Sequence, residues 1–164
     1  MIPTIALNDN TQIPQLGFGT YLVDPAEAAT VVSDALEAGY RHIDTAQMYR
    51  NEAGVGDAIA RSGICRDELY VTTKLSNANH ERDAVRRSLD QSLADLQVDY
   101  VDLFLMHWPL PTLYDGDFPA TWAAMAELRG DGRVRSASSS CKASATASRT
   151  SRDTPPALPR SRRV

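Results

Sequence analysis

Between residues 16 and 132 a short apolar run followed by an amphipathic stretch recurs four times, and few folds accommodate that alternation. The runs are Leu16–Thr20, Tyr40–Asp44, Leu69–Lys74 and Tyr100–Met106. The stretches between and after them predict helices over 25–38, 52–61, 81–95 and 120–131. In the first helix Asp24 is the expected N-cap and Pro25 the first residue, with Ala28, Val31, Val32, Ala35 and Leu36 inward and Gly39 as the stop. Val85, Leu89, Leu93 and Leu96 form the stripe of the third. The nearly continuous apolar character of residues 100–106 suits a strand covered on both faces. Four strand–helix units with short connections mean an α/β fold with a parallel sheet, either doubly wound or the first half of an eight-stranded barrel. Ahead of them, Thr4–Leu7 and Thr11–Ile13 flank Asn8-Asp9-Asn10 as a small hairpin.

The pattern stops after Arg135, where Ser-Ala-Ser-Ser-Ser-Cys replaces the apolar run due next. No fifth strand is expected. Composition changes at the same place. Residues 136–164 carry six basic residues and one acid, with eight Ser, five Arg and no aromatic, whereas residues 1–135 carry 11 basic and 20 acidic. The expected organisation is one partial domain over 1–135 and a basic Ser/Ala/Arg/Pro-rich tail over 136–164, too poor in apolar surface to offset its ordering entropy. Translation of GC-rich DNA in a shifted frame from codons 135–137 would produce such a tail.

Several classes drop out. No run approaches the ~18 apolar residues of a membrane span, and Met1–Asn10 lacks a signal-peptide pattern, so a cytoplasmic protein is expected. Cys65 and Cys141 are isolated and make neither a disulfide framework nor a metal cluster. The acidic body argues against nucleic acid as a partner.

Polar residues stand at the strand ends. Asp44 closes the second run, Lys74 the third, and His107 follows the fourth; Tyr49 lies five residues beyond Asp44. Parallel strands bring their C-terminal ends to one face, where sites are built. A phenol of pKa ~10 is a poor proton donor at neutral pH until a cation favours its anion. Lys74 could supply that cation, Asp44 could hold it, and Tyr49 could protonate a carbonyl oxygen that His107 orients. Such a site suits carbonyl reduction with hydride from an external donor. Each residue also has a plainer reading: a solvated strand end for Lys74, a turn start for Asp44, packing for Tyr49 and a loop position for His107. His42 and His80 read as structural or solvated. Tyr21 and Trp108 are aromatic groups near the same face, where core packing competes with a role in lining a pocket.

Four segments bear on the choice. Gly-Phe-Gly-Thr-Tyr at 17–21, Gly-Tyr-Arg-His-Ile-Asp-Thr-Ala-Gln-Met-Tyr-Arg-Asn-Glu at 39–52, Thr-Thr-Lys-Leu at 72–75 and Val-Asp-Leu-Phe-Leu-Met-His-Trp-Pro at 101–109 closely resemble the aldo-keto reductases, over about residues 5–135. Within that superfamily the chain looks most like bacterial 2,5-diketo-gluconate reductase-like members. The resemblance implies the N-terminal half of a (β/α)8 TIM barrel whose bottom is closed by the hairpin. It also implies NADPH-dependent reduction of a small aldehyde or ketone without metal. Tyr49 would be the proton donor, with Lys74, Asp44 and His107 as its catalytic partners. Gly19, Thr20 and Asp44 would face the nicotinamide. Tyr21 and Trp108, with Tyr49 and His107, would line the substrate pocket.

The family's later nicotinamide-amide, pyrophosphate and adenosine-phosphate segments have no match after residue 135. Weak NADPH binding and low turnover are therefore expected, as is self-association through sheet edges left open at the first and fourth strands. Two competing readings are an inactive half-barrel remnant or interaction module, and a basic tail recruiting an anionic partner such as nucleic acid.

Overall fold

The computed structural model describes residues 2–110 and 114–139. Strands β1 (Thr4–Ala6) and β2 (Gln12–Pro14) form the expected antiparallel hairpin, pairing Ile5 with Ile13. The strands that follow are β3 (Phe18–Gly19), β4 (His42–Asp44), β5 (Tyr70–Leu75), β6 (Val101–Met106) and β7 (Val134–Ser139). All five lie in one sheet in chain order, with parallel pairing throughout. Helices α1 (Ala28–Glu37), α2 (Glu52–Arg61), α3 (Arg82–Leu96) and α4 (Phe118–Gly130) occupy the crossovers. Sequential parallel strands joined by helices are the βα pattern expected from the periodicity.

A fifth strand exists, against expectation. β7 runs through Arg-Ser-Ala-Ser and pairs with β6 from Val101–Val134 to Met106–Ser139. Its side chains carry little apolar signal, but a parallel ladder is built from backbone groups, and β6 offers a full edge for it. Val134 is buried against the core, and the Ser136 hydroxyl donates to the Asp9 carboxylate at 2.7 Å, tying β7 to the hairpin tip. Residues 136–139 thus belong to the sheet, and the break placed at 135 falls inside a strand. Among the described residues the edge strands are β3 and β7, the first and fifth of this sheet, rather than the first and fourth. The expected tail beyond residue 139, Cys141 included, lies outside the described residues.

Helix starts moved by a few residues. The Asp24 carboxylate accepts from the Ala26 N–H at 2.8 Å and its carbonyl from Glu27, so residues 25–27 form a turn before α1 rather than its first turn. α4 starts at Phe118, two residues early, because Asp117 caps it by accepting from the Ala120 N–H at 3.2 Å.

The core lies between sheet and helices. Ile43, Val71, Phe104 and Met106 pack against Val32, Leu36, Val55, Val85, Leu89, Met125 and Leu128, all fully or almost fully buried. At the opposite end of the sheet from the site, buried Asp102 accepts from the Val71 N–H at 2.9 Å, Arg66 at 2.7 Å and Arg135 at 3.0 Å. Both guanidinium groups lie over the Tyr100 ring, 4.0 and 4.1 Å from its centroid. His42 is structural: its Nε2 pairs with the Thr72 hydroxyl at 3.0 Å, and its ring fills the space a side chain on Gly17 would need. His80 is buried and stacks on Tyr114 at 5.1 Å.

Burial holds the imidazoles of His42, His80 and His107 below the ordinary histidine value of 6.5. Each then binds fewer protons folded than unfolded, so the stability they allow is complete above 6.5 and is lost as pH falls below it. Glu52 works oppositely. Burial raises its pKa, so its contribution is lost as pH rises from 4.5 through the raised value. In a Glu52→Gln background, the urea midpoint is expected to fall steadily from neutral pH to about pH 5. A flat profile there would contradict the burial of the three histidines.

Candidate active site

Register brings the polar strand ends together. Gly19 lies opposite Asp44, Asp44 opposite Thr72, and Lys74 opposite Leu105, so each successive strand reaches further up the same end of the sheet. Alternation along β5 puts Thr72 and Lys74 on one face. Lys74 is 7% exposed, and its ammonium donates both to the Asp44 carboxylate and to the Thr45 carbonyl, the latter at 2.9 Å. A buried lysine needs such partners. Asp44 keeps part of its side chain open to solvent.

Tyr49 ends a single 3₁₀ turn, Gln47–Tyr49, in the loop after β4. Arg50 then takes a left-handed conformation, φ 58°, which turns the chain sharply into α2. The Tyr49 ring lies over the Lys74 ammonium, 5.0 Å from ring centroid to nitrogen. His107 stands edge-on to it at 5.7 Å and Tyr21 tilts against it at 5.3 Å. Asp44, Lys74, Tyr49 and His107, distant in sequence, therefore form one contiguous cluster with Tyr21 at its side.

Burial is the main force holding His107 below the ordinary histidine pKa, the Lys74 ammonium adds to it, and the Asp44 charge partly offsets both. A neutral imidazole at neutral pH can share one hydrogen bond with a polar oxygen without adding a second full positive charge beside Lys74. Thr20 is fully buried, and its N–H donates to the Asp44 carbonyl at 2.9 Å, extending the β3–β4 pairing beyond Gly19. Tyr21 and Trp108 are exposed, at 66% and 54%. Trp108 makes no ring contact among the described residues that joins it to the cluster. Among the described residues no three or more His, Cys, Asp or Glu side chains converge as a metal group would require.

Residues that sequence reasoning passed over support this cluster. The Gln47 amide nitrogen donates to the Ser88 carbonyl and the Ser92 hydroxyl, each at 3.1 Å, and its oxygen accepts from the Ser76 N–H at 2.7 Å. Glu52 is buried between the hydroxyls of Thr73 and Ser92, at 2.5 and 3.2 Å. Asn51, 1% exposed, bonds to Thr20, Val23 and Thr45. The only signal available for them was their position beside Tyr49.

The Aldo/keto reductase family model matches residues 15–157. The chain belongs to that family. It is 45% identical over 132 residues to the methylglyoxal reductase DkgA of Escherichia coli K12, which covers 80% of this chain and 46% of that relative. Among solved structures it resembles an aldo/keto reductase from Brucella melitensis, with TM-score 0.80 and 47% identity over 85% of this chain and 54% of the other. It also resembles a Bombyx mori aldo-keto reductase solved with NADP, with TM-score 0.78 and 41% identity over 84% and 50%. A putative 2,5-diketo-D-gluconic acid reductase B is similar too, with TM-score 0.77 and 41% identity over 85% and 48%. The chain thus spans about half the length of the relatives it matches. Its hairpin and five-stranded sheet correspond to the first part of the family's barrel. The family reduces small carbonyl compounds and uses NADPH. Among the described residues no helix is long and apolar enough to cross a membrane.

Proposed function

We propose that this chain carries the proton-transfer half of an NADPH-dependent aldehyde or ketone reductase, with Tyr49 as acid and Lys74, Asp44 and His107 as its partners. The observation that carries the reading is the buried Lys74 ammonium, fixed by Asp44 and the Thr45 carbonyl beneath the Tyr49 ring. Within that arrangement Tyr49 gives its proton to the carbonyl oxygen as negative charge develops there. Lys74 stabilises the tyrosinate left behind, and Asp44 keeps the ammonium in place. His107, neutral, holds the same oxygen from the other side. Tyr21, exposed against Tyr49, and Trp108, exposed and next to His107 in sequence, give a small carbonyl compound apolar surface to rest on.

The residues present fit the nicotinamide end of the cofactor. A Cβ built on Gly19 would meet nothing within 4 Å, so the backbone there is open to a planar ring, and the partly exposed Asp44 lies directly across in register. When bound, NADPH supplies the hydride that no side chain can. Gly19 and Asp44 would hold its nicotinamide, with Thr20, fully buried, fixing the backbone behind them.

A second reading is an inactive half-barrel remnant or interaction module that self-associates through β3 and β7, the edge strands of the sheet among the described residues. One experiment separates the two. The purified chain is sized by gel filtration, and each fraction is assayed for NADPH oxidation with methylglyoxal, the compound named for the E. coli relative. Turnover that Tyr49→Phe abolishes supports the reductase reading. Absent turnover in every fraction, with no change in NADPH fluorescence, supports the remnant.

A further inference from the structure

Asn51 stands at the N-terminal boundary of α2, where an asparagine ordinarily caps its own helix. It does not do so: its side chain makes no bond to the helix N–H groups. It turns away, and every hydrogen-bonding position of its amide is spent elsewhere. The oxygen accepts from the Thr45 hydroxyl at 3.1 Å and the Thr20 hydroxyl at 3.3 Å. The nitrogen donates to the carbonyls of Thr20 at 2.9 Å and Val23 at 3.1 Å. A primary amide has two donors and two acceptor lone pairs, so this group is saturated. Giving up a cap for long-range bonds is unusual and suggests a different task.

The partners show which task. Thr20 to Val23 is the loop after β3, and it carries Tyr21, whose ring lies 5.3 Å from that of Tyr49. Thr45 follows Asp44, and its carbonyl receives the Lys74 ammonium. Asn51 itself lies two residues after Tyr49, beyond the left-handed Arg50. One buried amide therefore joins the tyrosine turn, the lysine's acceptor and the loop that runs past Gly19.

We propose that Asn51 is a positioning residue that sets the Thr20–Val23 loop against Tyr49, so that the ring of Tyr21 and the nicotinamide-facing backbone keep a fixed relation to the proton donor. The inference rests on the carbonyl-reductase reading for its purpose, though not for its geometry. Asn51→Asp is the informative change because it preserves shape and both acceptor positions. It removes both donors and sets a carboxylate against the Thr20 and Val23 carbonyls.

The test uses the full chain labelled with 3-fluorotyrosine and read by fluorine NMR, with Tyr21, Tyr49 and Tyr100 assigned through their Phe variants. Asn51→Asp is expected to shift the Tyr21 and Tyr49 resonances and leave Tyr100, at the other end of the sheet, in place. Should Asn51→Asp not fold, Thr20→Val, which removes only the 3.3 Å bond, is read the same way and must shift Tyr21. Unmoved Tyr21 and Tyr49 signals in a folded variant overturn the proposal. Movement of all three signals also overturns it, because general loosening is what a merely structural residue would cause. Adding NADPH to the unsubstituted chain tests the underlying reading separately. If that reading alone is wrong, NADPH moves neither signal while Asn51→Asp still does.

Discussion

Lys74→Met should lower the kcat of NADPH-dependent carbonyl reduction by about 10²- to 10⁴-fold, the range of a lost acid–base contribution, and leave the chain folded. The ammonium is the only full positive charge placed against the Tyr49 ring among the described contacts. Its removal leaves the forming tyrosinate without the cation proposed to stabilise it. Methionine has a similar unbranched stem, and the hydrophobic part of the Lys74 site is retained. Asp44 is about one-third exposed and can hydrate once its partner is gone, so the structural loss is limited. Only the Thr45 carbonyl loses a buried donor. A large kinetic loss with a nearly unchanged urea midpoint is thus the signature of the role proposed for Lys74. An unfolded variant would place the residue in the structural class, and unchanged turnover would remove it from the mechanism. Absorbance at 340 nm with methylglyoxal gives the rate, and far-ultraviolet circular dichroism gives the fold.

How much of this was legible in the sequence depended on which atoms carry each feature. β6 and α3 were plain because their instructions are side-chain patterns: the apolar run Val-Asp-Leu-Phe-Leu-Met, and leucines at helical spacing. The gathering of Asp44, Lys74 and His107 was legible for a related reason, since parallel strands in sequence order leave their C-terminal ends on one face. β7 was missed because its pairing is written in backbone hydrogen bonds offered by β6, and Ser-Ala-Ser hides such pairing. Asn51 and Gln47 were missed because a polar residue beside a motif looks the same whether its amide is solvated or saturated; only its partners, up to 45 residues away, distinguish the two. The start of α1 was misplaced for a third reason. Asp24 followed by Pro25 is as good a turn as it is a cap, and the Asp24 carboxylate does bond two residues on, but to a turn.

Gly56→Val is expected to unfold the chain, or nearly so, and Gly56→Ala to cost about 1–3 kcal/mol or more. Glycine in the middle of α2 sacrifices about 1 kcal/mol of helix propensity relative to alanine, so something must offset it. The offset is the crossing of α2 and α3. A Cβ on Gly56 would lie 2.2 Å from the Asp95 carbonyl oxygen, 2.6 Å from the Leu96 carbonyl carbon and 2.8 Å from the Leu96 Cα. These are backbone atoms of another helix and cannot step aside as a side-chain tip could. The helices would have to part, and Val55, Ile59, Leu89 and Leu96, all buried beside the crossing or in the core it closes, would lose contacts together. Gly17 and Gly54 face other obstacles, the buried His42 ring at 2.5 Å and the Ala28 methyl at 2.7 Å. Gly130 provides the control: a Cβ would meet nothing within 4 Å, and Gly130→Ala near the end of α4 should be neutral or stabilising. Urea unfolding of the three variants side by side reads the order directly. A Gly56→Ala chain as stable as Gly130→Ala would show that α2 and α3 do not cross as closely as the structure places them.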